Sequence, residues 1–491
     1  MIGRAKSIAD AINEIASGRV LSAELTHSCL QRIDKLNSRV NAVVTLNHHS
    51  LEDAKKIDQS SIRAKHLLGL PFTVKDAFKT AGIRSTSSYR PLSSYVPDAN
   101  AVSVDMLLRS GGILIGKTNL PELAADPQCR SPLFGVTNNP WDLNRTSGGS
   151  SGGSAVAVAL GFSWLDLGSD FAGSIRIPAS FCGVVGFKAT EGRIPSDGHI
   201  PPLPGSASRV NHMLSFGLLT RRVGDVSIGL SVLTSRDQEP STLPCEVHSR
   251  RGTQDQQLTF AFWDDFDGLP LCSRTRDTLK KTISNLVRAG HKIDRKRPEG
   301  FHFESLWNAF GVIAGAEAGF VSNQMLRSIL SKFAAFPSKN QPIVRGLLAG
   351  LALRPTAYEN ALRVRQSAID KLERFMANYD AWILPASPCV AYQHMHRFEL
   401  FGLSKIRFEG HSIPYIDGAF GCTSPFSLTG SPVLSLPCSV TDGIPVGLQF
   451  VGRRMQDQQL VEVCTLVEEI VGGYRVPPLL SDELLSDFIF K

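Results

Sequence analysis

Two small-residue nests hold the residues best suited to chemistry: Gly148-Gly149-Ser150-Ser151-Gly152-Gly153 and Ala172-Gly173-Ser174. Glycine has no Cβ and reaches backbone dihedrals and close approaches denied to other residues. A serine set among glycines keeps its hydroxyl while the neighbouring main-chain N–H groups stay bare. A nucleophilic hydroxyl beside ready-made donors for an oxyanion is the equipment of acyl transfer. Such a serine needs a base. The histidines lie mostly outside the nests, and no Ser-x-x-Lys pair occurs anywhere in the chain. The remaining candidate is Lys75, at the end of the apolar run LGLPFTVKD. Lysine accepts a proton only when neutral, so its ordinary pKa of about 10.4 must fall, and burial and nearby positive charge both lower it. An intervening serine can pass the proton from nucleophile to lysine.

The elements around these residues follow from pattern. Leu68–Asp76 reads as a strand beginning just after Pro71, with Phe72 and Val74 on one face and Thr73 and Lys75 on the other. Val102–Arg109 has helical spacing. Gly111, Gly116, Lys117 and Thr118 then fit the phosphate-binding GxxxxGK[ST] spacing. That motif needs a strand before a glycine-rich loop, whereas here a helix precedes it and Ile113-Leu114-Ile115 put a strand where the loop should be. Gly148–Gly152 likewise fits the GxSxG nucleophile elbow, but Asn138–Ser147 is polar and turn-rich instead of a buried strand. Ser154–Leu160 is alanine-rich and helical, with Gly161 to end it. Leu165–Leu167 reads as a short buried strand feeding Gly168-Ser169-Asp170 and the second nest. Pro178 fits only the first turn of a helix, so Phe171–Ser174 should precede a helix N-terminus, where free N–H groups and the dipole favour a developing negative charge. Asp170 and Arg176 read as hydrogen-bonded supports of this turn.

The flanks are less informative. Ser7 and Asp10 give a capping-box pattern ahead of Ile8, Ile12 and Ile15, with Gly18 to end that helix. Ser22 is expected to cap a second helix that carries Leu25, Cys29, Ile33 and Leu36 and closes near Asn37. From about Gln238 to Asp380 the pattern is helical, clearest at Lys280–Val287 and Tyr358–Met376, and carries no chemical motif. His394 and His396 form an HxH pair without a third ligand, the mark of a surface loop more than of a metal site. Strands return at Trp382–Leu384, Pro432–Pro437 and Val446–Val451. Segments from both ends therefore build one sheet, which argues for a single large domain.

The 491 residues are 42% hydrophobic and 20% charged, ordinary for a globular protein with a sizeable core. The net charge of +7 is slight and scattered, so no nucleic-acid surface is expected. Nine cysteines without CxxC pairs read as reduced, mostly buried thiols. No window reaches the run of about 18 apolar residues a membrane span needs, and the N-terminus has no signal-like stretch. The expectation is a cytoplasmic protein without membrane contact.

Over nearly its whole length the chain resembles the amidase signature family. The resemblance rests on VKD at Val74–Asp76, GKTNLPE at Gly116–Glu122, GGSSGGS at Gly148–Ser154 and GSDFAGSIRIPASFCGVVGFK at Gly168–Lys188. LTGSP at Leu428–Pro432 and GIPVGLQFVG at Gly443–Gly452 extend it; together these segments are highly specific. The resemblance implies an α/β fold: a single large domain whose central mixed, twisted sheet is covered by helices on both faces. Within it, 1–60 would be N-terminal helices, 61–235 the signature core, 236–380 a variable, mainly helical substrate-side segment and 381–491 the C-terminal part of the sheet.

It also implies a Ser-cisSer-Lys triad, with Ser174 as nucleophile, Ser150 as the bridge after a cis peptide bond and Lys75 as base. Main-chain N–H groups of Phe171, Ala172, Gly173 and Ser174 would form the oxyanion hole, and Ser151 would support by hydrogen bonding. The chain departs from the family where Ala172 replaces the usual glycine, Phe171 the common Thr or Ile, and Ser147 a common proline. Alanine at 172 requires a negative φ, and Phe171 would narrow the acyl pocket. No metal or organic cofactor is implied. The expected activity is hydrolysis of a small carboxylic amide through a Ser174 acyl-enzyme. The alternatives are the A-type glutaminase subunit of a tRNA-dependent amidotransferase, which works with partner subunits, and a non-catalytic amidase-like binding domain. No stretch around Ile329–Arg365 matches that glutaminase's usual pattern, and binding-only members tend to lose triad residues that are all present here. The amide itself and homo-oligomer formation stay open.

Overall fold

The computed structural model describes residues 7–60, 65–206, 210–235, 257–321, 341–395 and 404–480, the side chains of 319–321 excepted. Eleven strands form one mixed sheet: β1 (Val43–Leu46), β2 (Pro71–Lys75), β3 (Ile113–Thr118), β4 (Leu165–Asp170), β5 (Val185–Lys188), β6 (Ser215–Thr220), β7 (Thr259–Phe262), β8 (Lys292–Arg295), β9 (Ala381–Pro385), β10 (Val433–Thr441) and β11 (Ile444–Val451). Their spatial order is β1-β3-β2-β4-β6-β5-β10-β11-β9-β7-β8. The pairing of β5 with β10 joins the first half of the chain to its last strands, so the molecule is a single α/β domain. Helices flank the sheet, and the largest apolar cluster runs from Ile8 through Phe72, Leu167 and Phe187 to Leu448 and Val467.

β2 is parallel to both β3 and β4, with Lys75 opposite Thr118 and Val74 opposite Leu167. The carboxyl ends of these three strands therefore deliver Lys75, Thr118 and Asp170 to one edge of the sheet, the usual place for a site in α/β folds. β3 is wholly buried strand, which disposes of the phosphate-loop spacing at Gly111–Thr118.

At the N-terminus the first helix, Ile8–Ala16, is capped by Ser7, whose hydroxyl accepts the Asp10 N–H. The second differs from expectation. It runs from Ser22 to Val40, and Ser22 does not cap it. The Ser22 and Ala23 N–H groups donate to the Asp58 carboxylate, freeing the Ser22 hydroxyl to donate to the Gly69 carbonyl. Asn41 in the left-handed region closes the helix.

The motif-free segment also differs. It contains the helices Ser273–Arg288, Phe303–Val321, Pro342–Leu351 and Pro355–Met376, but also β7 and β8 at the sheet's end. β9 supplies the template, pairing in parallel with β7. The helices Phe303–Val321 and Pro342–Leu351 cross backbone to backbone: a Cβ added at Gly350 would lie 2.0 Å from the Val312 carbonyl oxygen. These helices carry a second apolar cluster, with Trp307, Phe310, Ile313, Trp382 and Phe426, that reaches Ala172 and Phe171 in the second nest.

Candidate active site

Lys75 ends β2 with its side chain fully buried. Its Nζ lies 2.7 Å from Ser150 Oγ, 3.1 Å from Ser169 Oγ and 3.2 Å from the Ser169 carbonyl oxygen. Burial lowers its pKa to about 7, against the opposing pull of Asp170, Cys129 and Asp166. A neutral amine beside a serine hydroxyl is thus accessible near neutral pH.

Ser150 follows a cis Gly149–Ser150 peptide bond. Beyond it Gly152–Ala159 is helical. The Ser151 N–H donates to the Ser174 carbonyl at 2.9 Å, and Ser151 Oγ to the Ser169 carbonyl at 3.4 Å. The two nests are therefore stitched together by their main chains. Ser174 is 6% exposed. Among the described residues its Oγ makes no hydrogen bond, so the Lys75–Ser150 contact is closed while Ser150 and Ser174 make no hydroxyl contact.

Asp170 organises the second nest. Its carboxylate accepts the N–H groups of Gly173 (2.8 Å) and Ile175 (3.0 Å) and pairs with Arg176 at 2.8 Å, all of it buried. Burial alone would raise this carboxyl, but the Arg176 guanidinium and the backbone donor at Ile175 hold it at about 2. Arg176 also donates to the Thr423 carbonyl and to Ser427 Oγ, so the C-terminal part of the chain braces the nest.

The four main-chain donors separate on this geometry. The Ala172–Gly173 peptide is held from both sides, its N–H by Asp170 and its carbonyl by the Thr423 hydroxyl. The Gly173 N–H is therefore engaged and differs from the expectation of a bare donor. The N–H groups of Phe171, Ala172 and Ser174 are not engaged by any described residue. Ala172 is absent from the positive-φ residues, whereas Gly173 has φ +137°, and a Cβ there would meet Thr423 Oγ1 at 2.4 Å. Phe171 is half-buried, its ring centroid 5.9 Å from that of Phe310.

Sequence reasoning missed several members. Ser169 lies inside the GSDFAGS stretch, but no role was legible for it there. Buried His199 touches it, Nε2 to Ser169 Oγ at 3.0 Å. Asp166, its pKa raised by burial to about 6, accepts from Thr73 and Thr118 beneath the site. No local sequence signal marked His199, whose contact with Ser169 is made only by the fold. Lys117, from the discarded phosphate motif, is a buried strut bonded to the Phe78 carbonyl, Thr80 and Ser85. His394 donates its main-chain N–H to Asn144, and His396 lies outside the described residues. Among the described residues no cluster of three or more His, Cys, Asp or Glu could hold a metal, and no helix is long and apolar enough to cross a membrane. All eight described cysteines are buried and free.

One edge of this sheet thus carries a buried lysine, Lys75, in contact with Ser150, and a serine, Ser174, at a strand-to-helix turn whose carbonyl accepts the Ser151 N–H. The Amidase family model matches residues 24–461, and the chain belongs to the amidase signature family. The A-type subunit of the glutamyl-tRNA(Gln) amidotransferase from Caldanaerobacter subterraneus subsp. tengcongensis is 31% identical over 96% of this chain and 98% of its own. Among solved structures, an amidase is 28% identical, with TM-score 0.76 over 95% of this chain and all of that one. A 6-aminohexanoate cyclic dimer hydrolase bound to substrate is 25% identical, with TM-score 0.77 over 97% and 99%. The chain is accordingly an enzyme acting on amide C–N bonds, which sets aside the binding-only reading.

Proposed function

We propose that Ser174 is the nucleophile, Ser150 the bridging serine and Lys75 the base of a two-step amide cleavage. The observation that carries this reading is the 2.7 Å contact between the buried Lys75 amine and Ser150 Oγ at the foot of the Ser174 turn. Neutral Lys75 takes the Ser174 proton through Ser150 as Ser174 Oγ bonds to the amide carbon. The resulting oxyanion rests on the N–H groups of Phe171, Ala172 and Ser174. Protonated Lys75 returns its proton through Ser150 to the leaving nitrogen as the C–N bond breaks. Water then attacks the acyl-enzyme by the same relay, releasing acid. Asp170 and Arg176 fix the turn, and Ser151 ties it to the bridge.

Two settings for this chemistry were expected: a stand-alone amidase and the A-type glutaminase of an amidotransferase. Curated relatives that are 28–31% identical over nearly the whole length carry the amidotransferase name. They back the amidotransferase reading better, with glutamine as the amide and partner subunits beside it. Labelling with a fluorophosphonate probe, wild type beside Ser174→Ala, tests the nucleophile: label that persists in the variant means another serine reacts. Ammonia release from glutamine that depends on co-purifying subunits supports the amidotransferase setting. Turnover of another amide by the isolated chain supports the stand-alone one.

A further inference from the structure

His199 lies outside the triad, and its contacts carry a direction. The ring is 6% exposed and packs against the rings of Phe78 and Phe216, whose centroids are each 5.1 Å from it and 4.8 Å from one another. Nδ1 lies 2.9 Å from the Pro201 carbonyl oxygen and Nε2 3.0 Å from Ser169 Oγ. A carbonyl oxygen only accepts, so Nδ1 must carry a proton. Burial, with a smaller push from the Lys75 charge when that amine is protonated, holds the imidazole pKa down to about 3 against the Pro201 hydrogen bond, so the ring is neutral. Its Nε2 then has only a lone pair and takes the Ser169 O–H. With that proton committed, Ser169 faces Lys75 as an acceptor at both oxygens, hydroxyl and carbonyl.

A neutral amine has two N–H groups and one lone pair. Lys75 Nζ has three neighbours: Ser169 Oγ, the Ser169 carbonyl oxygen and Ser150 Oγ. The two Ser169 acceptors take the two N–H groups, which leaves the lone pair aimed at Ser150. The Ser150 O–H must then point at Lys75, leaving the Ser150 oxygen free to accept from Ser174. We infer that His199 is a positioning residue which, through the Ser169 hydroxyl, aims the Lys75 lone pair at Ser150 and so sets the direction of proton transfer out of Ser174. This rests on the triad reading above.

The test is a double-mutant cycle on the rate at which a fluorophosphonate probe acylates Ser174, measured at the pH plateau. His199→Phe keeps a ring packed against Phe78 and Phe216 but gives Ser169 no acceptor. Its hydroxyl can then turn and donate to the Lys75 lone pair in competition with Ser150. The expected loss is about 10- to 100-fold, below the roughly 10²- to 10⁴-fold that losing a general base outright costs, with probe affinity unchanged. His199→Gln, which can place an amide oxygen near the Nε2 position, recovers most of the rate. In a Ser169→Ala background, where no hydroxyl competes, His199→Phe costs less than about threefold. A packing role would cost the same in both backgrounds, and that additive result overturns the inference. An independent readout is the ¹⁵N signature of the His199 ring in the full chain. The Nδ1–H tautomer, constant from pH 5 to 9, is expected, and an Nε2–H tautomer or a titration in that range overturns the proposal even if the probe labels nothing. Wild-type protein that fails to label at Ser174 while showing the expected tautomer counts against the triad assignment and upholds the His199–Ser169 geometry.

Discussion

Two lysines on adjacent parallel strands, Lys75 on β2 and Lys117 on β3, are both fully buried, with pKa values lowered by burial to about 7 and about 8. Their surroundings differ. Lys117 faces the Asp76 carboxylate at 3.8 Å, the Phe78 carbonyl and two hydroxyls, a set that satisfies an ammonium and ties the turn after β2 to β3. Lys75 has no carboxylate in ion-pair contact among the described residues, only serine oxygens. Burial perturbs both; the partners suit Lys117 to a strut and Lys75 to the proposed role of base. A charged lysine next to a carboxylate is costly to neutralise, while one beside hydroxyls gives up its proton readily.

Substitutions separate the two roles. The largest effect is expected for Ser174→Ala, which should lower turnover by at least about 10⁴-fold and abolish fluorophosphonate labelling. Lys75→Met should follow, with a loss of about 10²- to 10⁴-fold and a denaturation midpoint equal to or above that of wild type, because an apolar side chain replaces a buried amine without a salt-bridge partner. Lys117→Met should do the reverse. It strands the buried Asp76 carboxylate and should cost about 3–5 kcal/mol of stability, while the protein that remains folded loses less than about tenfold in rate. Chemical denaturation beside single-turnover kinetics reads both axes. A Lys117→Met protein of native stability and no activity would erase the distinction.

The sequence made one side of this comparison legible and hid the other. Lys75, Ser150 and Ser174 stand out because glycine nests and a strand-terminal lysine are local signals. The strands around them stand out because they are short apolar runs bounded by Pro and Gly. The role of Lys117 was not legible, since its partners come from the Phe78–Ser85 loop and only the fold brings them to β3. His199 was hidden for the same reason. The engagement of the Gly173 N–H was readable in principle, because an aspartate three residues before a glycine often accepts its N–H in a turn. β7 and β8 could not be read: TFAF and KIDR are four-residue segments among helical patterns, and they become strands only because β9 offers an edge. The helix cap at Ser22 failed because Asp58, distant in sequence, outcompetes a serine hydroxyl for the first-turn donors.

A pH profile sharpens the comparison at lower amplitude. Burial places the Lys75 pKa below its ordinary value, so the proton leaves, and the proposed base becomes competent, as pH rises through about 7. The acylation rate should fall about tenfold for each unit below that midpoint and flatten above about pH 8. Lys188 also has a pKa lowered to about 7, but its Nζ bonds to the Ala189 carbonyl and Ser215. Lys188→Met should leave the acid limb where it is. A limb that moves with Lys188, or one centred near pH 10, would remove Lys75 from the role of base.

The smallest expected effect concerns the apolar cover. Phe171 sits three residues before Ser174 and presents its ring to Phe310 of the helix Phe303–Val321, the point where the chemically wired half of the molecule meets the motif-free one. Phe171→Ala removes the ring and leaves the main-chain donors in place, so the oxyanion contacts should survive. The space it opens favours a bulkier acyl group, while a small one loses packing. A hydrophobic pocket discriminates by only about 1–3 kcal/mol per methylene, and the cover can partly relax into the gap. The ratio of kcat/KM for a long over a short acyl amide should therefore rise only a few-fold, and Phe310→Ala should move it in the same direction. A ratio unchanged in both variants would place Phe171 in the core beneath the nest, and acyl selectivity would then belong to residues further along the cover.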